Sequence, residues 1–252
     1  MRLLLAFLFC ASPLGAQEIG VGIRIREWLA RYDGTIAADG VSNTGPRLDA
    51  GSDLGLDDRE FAHEIQLSVD IPAVGRFQAG YWRLRLDGHA VLDADTGFDG
   101  LLFPAGTAVH SSLGLDVFYL DYAVPVLREP VDIALLAGVR YLSGEADLDG
   151  GGLHGHANLN RPLLLPGVHV GAGLLPWLRA DTRVEGLAFT AHNVKARYLE
   201  WDAEVTALPI PGFSVTLGWR TIVTYFKARK ESLNFDLDGT IGGPFLALAV
   251  RF

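Results

Sequence analysis

Apolar residues fall at every second position through most of this chain, and that habit limits what it can fold into. From Ile19 to Ile25 the odd positions are Ile19, Val21, Ile23 and Ile25, with Gly20, Gly22 and Arg24 between them. Phe61, Ile65, Leu67, Val69 and Ile71 alternate with Glu60, Glu64, Gln66, Ser68 and Asp70. The pattern returns around Val131 to Tyr141, where Asp132 and Arg140 fill alternate sites. It returns again where Arg179, Asp181, Arg183 and Glu185 separate Leu178, Ala180, Thr182 and Val184. Leu199, Trp201, Ala203 and Val205 then alternate with Glu200, Asp202 and Glu204. Successive side chains of a strand point to opposite faces, so each stretch predicts a strand with one apolar and one charged face. After the N-terminal segment no uncharged apolar run reaches the 18 residues of a membrane-crossing helix.

The connections come in two kinds. Short, proline-containing turns fall at 71–75, 125–130, 175–177 and 209–212. Longer polar segments rich in Gly and Asp lie near 34–58, 91–108, 147–160 and 230–243, with a shorter turn around His192-Asn193. Four short turns alternating with five longer loops predict about ten strands, although eight or twelve fit nearly as well. This is the layout of an all-β, closed antiparallel transmembrane barrel with short periplasmic turns and longer external loops. The alternative is a soluble periplasmic β protein whose charged faces point to water. Recurrent charges of both signs at the polar positions favour the barrel. Aromatics near strand ends (Trp28, Tyr32, Tyr81, Trp82, Trp177, Trp201, Trp219 and Tyr225) also favour it, as membrane-interface girdles do.

Of 252 residues 49% are hydrophobic, and the net charge is -9 without a basic cluster, so nucleic acid is excluded as a partner. Met1-Arg2, a short apolar run to Ala11 and the small-residue end Ser12 to Ala16 have the parts of a secretory signal peptide. Residues 1–16 are therefore expected to be removed, leaving 17–252 as an exported barrel in the outer membrane of a Gram-negative bacterium. Cys10, the only cysteine, leaves with the signal, so the mature chain carries no thiol chemistry.

On the barrel reading, the polar strand faces line a narrow lumen. The expected lumen charge network is Arg24, Arg26, Arg83, Arg85, Arg140, Arg179, Arg183 and Arg220. Its acids are Glu60, Glu64, Asp181, Glu185, Glu200, Asp202 and Glu204, with Asp87, Asp116, Asp132 and Arg251 as further members. A ten-stranded barrel is little wider than the eight-stranded kind that side chains fill, so these charges predict either a salt-bridged plug or a narrow charge-lined pore.

Three motifs bear on chemistry. Asp93, Asp95 and Asp99, Asp147 and Asp149, and Asp236 and Asp238 are spaced carboxylates near glycines, suited to half of a calcium loop or to a solvated turn. The 93–99 stretch is the better calcium candidate; otherwise no cofactor is expected. His154 and His156 offer imidazoles to a metal or sit in a polar loop. His110 and Ser112 stand two apart on one strand, expected on the lumen side near the outer rim.

Several stretches resemble known families. His110-Ser111-Ser112 resembles the His-x-Ser pair of outer-membrane lipid A deacylases, which implies a lipid A esterase-like alternative, but the flanking residues and a third member are missing. Phe235 to Ile241 resembles the nucleophile motif of haloacid-dehalogenase-type phosphatases, without the parallel strand and α/β domain that motif requires. Leu246, Leu248, Val250 and Phe252 resemble the terminal strand of outer-membrane proteins, which implies recognition by the barrel assembly machinery. Arg47 to Asp58, with its Asp53-Leu54-Gly55-Leu56-Asp57-Asp58 run, resembles the first-loop signature of a group of uncharacterised proteobacterial outer-membrane barrels. The same group is similar around Phe103 to Thr107. That likeness implies location and fold and brings no catalytic residues. The leading expectation is a monomeric structural or surface-binding barrel, or a narrow pore, in contact with outer-membrane lipid and lipopolysaccharide.

Overall fold

A computed structural model describes residues 19–39, 47–57, 59–191, 194–230 and 233–252. The segment expected to be a signal peptide, the His192-Asn193 turn and Asp58 lie outside them. Ten long strands form the wall: β1 (Gly20–Asp39), β3 (Arg59–Ile71), β4 (Gly75–Val91), β7 (Ala108–Leu127) and β8 (Val131–Gly150), then β9 (Leu153–Leu175), β10 (Leu178–Ala191), β11 (Val194–Ile210), β12 (Phe213–Lys230) and β13 (Leu233–Arg251). Each pairs antiparallel with the next, and β13 pairs back onto β1 from Gly22↔Arg251 to Asp39↔Asn234. At the seam Phe252 N donates to Val21 O at 2.8 Å and Val21 N to Phe252 O at 3.1 Å, so the sheet is a closed ten-stranded barrel. The short β2 (Leu48–Asp49) pairs with β1, and β5 (Thr96–Phe98) pairs with β6 (Leu101–Phe103) in a separate hairpin.

Two segments expected as loops are strand instead. β8 and β9 stay in register to Gly150↔Leu153, because Gly151 and Gly152 take φ of +59° and +81°. Two successive left-handed residues make the tight turn whose twist matches the strands, and glycine adopts it without strain. The stretch 233–243 likewise belongs to β13, which places the phosphatase-like Phe235 to Ile241 within an antiparallel wall strand.

The outer surface has two zones. Around the turn end it is a band of exposed large apolar side chains, including Ile23, Ile25, Leu120, Leu135, Leu217 and Leu248. Tyr81, Phe118 and Tyr141 stand in register at its upper edge on β4, β7 and β8. The next outward row is Arg83, Asp116, Ser143 and Asn160, and polar rows continue from there to the hairpin tips.

The interior inverts this order. Opposite the apolar band it is charged, whereas above the band it is filled by Trp28, Ile36, Trp82, Leu84, Leu86, Leu148 and Ile222, each no more than 1% exposed. Leu48, Leu54 and Leu56 from the first loop and Phe98 and Phe103 from the β5–β6 hairpin close the top of the same cluster. Trp28, Tyr32 and Trp82 thus point into the barrel and do not join the girdle.

This geometry distinguishes neighbours in sequence. Leu84→Ala, inside the plug, should cost about 2–5 kcal/mol. Arg83→Ala, on the outer face, should stay within about 0.5 kcal/mol. Urea unfolding of the detergent-folded protein measures both.

Candidate functional site

The lower interior holds one connected set of arginines and carboxylates drawn from opposite walls. Arg220 of β12 donates through Nη1 to Glu64 Oε2 of β3 at 2.6 Å, bonds Glu200 of β11 through Nη2, and lies 3.5 Å from Asp202 Oδ1 through Nε. Arg140 of β8 bonds Asp121 and Glu185 and reaches Glu200 Oε2 at 3.3 Å. Arg183 of β10 bonds Asp121, donates to Glu185 Oε1 at 2.6 Å and to Gln78 Oε1 at 3.2 Å. Arg26 meets Glu64 at 3.3 Å and Asp202 at 3.5 Å, and Arg24 meets Glu204 at 2.7 Å. Tyr119 and Tyr198 add hydroxyl donors to Glu64 at 2.6 Å and Glu200 at 3.1 Å. The planar guanidinium fork bonds two or three carboxylates at once, which a lysine ammonium does without fixed geometry.

Aromatic faces cover this network on the plug side. The Arg220 guanidinium lies 5.2 Å from the Trp28 ring centroid and 5.6 Å from Trp82, and Arg26 lies 4.2 Å from Phe245. Glycines directly across the strand make room for the long arms. Gly80 faces Tyr119, Gly218 faces Phe245 and Gly138 faces Asp121. A Cβ on any of the three would collide with that partner's side chain.

Below the network a cavity of about 880 Å³ opens at the end where β1 begins and β13 finishes. Its mouth carries a second, looser group. Arg179 bonds Asp132 and donates to Asp181 at 2.8 Å, His169 Nε2 lies 3.0 Å from Asp181, and Arg251 pairs with Asp70 at 3.0 Å.

The expected lumen residues thus divide. Arg24, Arg26, Glu64, Arg140, Arg179, Asp181, Arg183, Glu185, Glu200, Asp202, Glu204 and Arg220 lie inside and pair there. Arg83, Arg85, Asp87 and Asp116 do not, because on β4 and β7 the inward positions are Trp82, Leu84, Leu86, Leu115 and Val117. Arg85 bonds Asp116 on the outer face. Glu60 is exposed at the first-loop end of β3, where its carboxylate accepts from the Phe61 backbone N–H at 3.0 Å. Asp121, Tyr119, Gln78 and His169 were missed. Asp121 sits five residues from Asp116, so the two cannot share a strand face, and its parity with the buried Tyr119 was the available signal.

His110 and Ser112 also face outward, not into the lumen. Ser112 Oγ donates to Asp147 Oδ2 at 3.3 Å while His110 Nδ1 meets Gly88 O at 3.0 Å, so in this arrangement the imidazole does not contact the hydroxyl. Asp95 Oδ1 accepts from Ala105 N at 2.8 Å and Asp99 Oδ2 from His156 N at 3.1 Å. Among the described residues, no three His, Cys, Asp or Glu side chains are placed to hold one ion.

No protein-family model matches the chain, and no curated protein matches it in sequence. Among solved structures it is similar to the outer-membrane protease OmpT from Escherichia coli. The two are 10% identical with a TM-score of 0.57, over 96% of this chain and 100% of that one. The transport unit of the autotransporter AIDA-I from Escherichia coli aligns at 12% identity and a TM-score of 0.42, over 97% and 93% of the two chains. Ail, the attachment invasion locus protein of Yersinia pestis, aligns at 12% identity and a TM-score of 0.35, over 93% and 99%. The likeness to OmpT is one of fold: a closed, antiparallel outer-membrane type of barrel.

Two predictions arise here. Arg140→Met leaves Asp121 and Glu185 with Arg183 alone and Glu200 with Arg220 alone, and the loss of that buried cation should cost about 3–5 kcal/mol in urea unfolding. In the first loop, the Ser52 backbone N–H bonds Asp49 Oδ1 at 2.8 Å; with further bonds from Gly51 N and Ser52 Oγ it holds the Asp49 carboxyl below its usual range. A depressed folded pKa means this support is present above the unfolded value and disappears as pH falls through the folded one. Carboxyl NMR should show Asp49 titrating below the ordinary aspartate range.

Proposed function

We propose that this chain is a sealed, non-conducting outer-membrane barrel whose working surface is the crown of strands and hairpins projecting outside the cell. The observation that carries this reading is the plug. Trp28, Trp82, Leu84 and Leu86 cross the interior above the charged network, and the first loop and the β5–β6 hairpin cap them. An ion entering the lower cavity meets paired arginines and then a buried apolar layer, which is a steep barrier to any charge. The exposed apolar band supports a membrane setting, since a closed barrel leaves no unpaired edge in lipid. The short turns support placing their end of the barrel in the periplasm.

On this reading residues 1–16 direct export, and β13 with the exposed Phe252 that follows it engages the barrel assembly machinery. Outer-leaflet lipopolysaccharide surrounds the girdle, where the outward-facing Arg83 and Arg85 stand one and two rows above it. The chain then acts as a structural or surface-binding barrel.

Planar-bilayer recording of the refolded protein tests this, with folding checked by the heat-dependent shift on gels. No unitary steps are expected. Regular steps whose size falls on Arg220→Met would reveal a charge-lined pore and refute the sealed-barrel reading.

A further inference from the structure

Two registered rows of side chains cross the outer face of the crown. One row runs His110, Asp149, His154 across β7, β8 and β9, with the His89 ring of β4 tilted 30° against His110 at 4.5 Å between ring centroids. The row beside it runs Ser112, Asp147, His156. Four of the chain's seven histidines therefore share one patch. It lies three and four rows above the Tyr81–Phe118–Tyr141 girdle, clear of the apolar band.

The hydrogen bonds give this patch a direction. His154 Nδ1 donates to Asp149 Oδ1 at 2.5 Å, and His156 Nδ1 donates to Asp147 Oδ1 at 2.6 Å. Asp147 is itself fixed by Ser112 Oγ. A carboxylate on Nδ1 sets the tautomer that leaves the Nε2 lone pair free and raises its basicity, which is how metal-bound imidazoles are held. Positions two apart on a strand point the same way, about 7 Å apart. Two imidazoles so spaced reach a common ion at about 2 Å from each nitrogen.

We propose that His154 and His156 form a surface binding site for a borderline divalent metal ion of the zinc class, with Asp147 and Asp149 as orienting partners. Imidazole nitrogen selects such ions over calcium or magnesium, which take oxygen. No third ligand converges in the present arrangement. Water completes the coordination, and both imidazoles are exposed to it.

Calorimetric titration of the untagged, detergent-folded protein with zinc chloride tests the site, with folding of every variant verified by the gel shift. Saturable binding of one ion is expected. It should be lost in His154→Ala with His156→Ala, and weakened about 10–100-fold in Asp147→Asn with Asp149→Asn. His89→Ala with His110→Ala should bind as the parent does. Absence of saturable binding in the parent overturns the proposal. So does parental affinity in the His154/His156 variant, and so does loss confined to the His89/His110 variant, which would move the site to β4 and β7.

Discussion

A closed sheet turns alternate side chains outward from one end of a strand to the other, whatever medium lies outside. Here the outer surface changes from an apolar band to a polar crown partway up each long strand, while the parity of inside and outside stays fixed. Every such strand therefore swaps the chemistry of its two faces at the same height. On β1, Ile23 and Ile25 point out beside inward Arg24 and Arg26; a few residues later Glu27 and Arg31 point out beside inward Trp28 and Ala30. The charged lumen and the apolar plug are two results of that one constraint.

The junction between the two interiors is where the energetics concentrate. Buried arginines and carboxylates gain little unless every partner is present. The connections from Arg24 on β1 to Arg183 on β10 supply those partners from seven strands, and aromatic faces of Trp28, Trp82 and Phe245 meet the guanidiniums from above. A network tied to so many strands also holds the barrel's cross-section, since moving one wall strand breaks ion pairs on the opposite side. The sequence holds only three lysines, Lys195, Lys227 and Lys230, and branched pairing needs the guanidinium plane.

Much of the fold was legible because lipid-facing strands alternate so regularly. The ten strands, the short turns at one end and the closing role of Leu246 to Phe252 all rest on that period. The lumen was legible only where a strand's lower half carried the charge, as with Arg24, Glu64, Arg179 and Glu200. Arg83 and Arg85 misled because they look like continuations of a polar face, yet they lie above the band, where outward residues are polar and Leu84 and Leu86 turn in. Period alone does not reveal the height at which the swap occurs. Nor does it separate a Gly-Gly hairpin tip from an irregular loop, since Gly151 and Gly152 lie in the same glycine- and aspartate-rich composition as the true loops. The cap was hidden for another reason: Leu54 and Phe103 lie in short segments outside the wall strands, and their burial depends on contacts distant in sequence.

The glycines opposite Tyr119, Phe245 and Asp121 carry a consequence for how such an interior changes over time. Each lends its empty volume to one particular neighbour across the ladder, so space in the lumen is held in pairs and not by single positions. A substitution enlarging Gly80 is tolerable only in a chain where residue 119 has already shrunk, and the reverse change leaves a hole beneath the plug. Variation inside this barrel should therefore arrive as compensated doublets along strand partners, while the outer wall drifts one residue at a time.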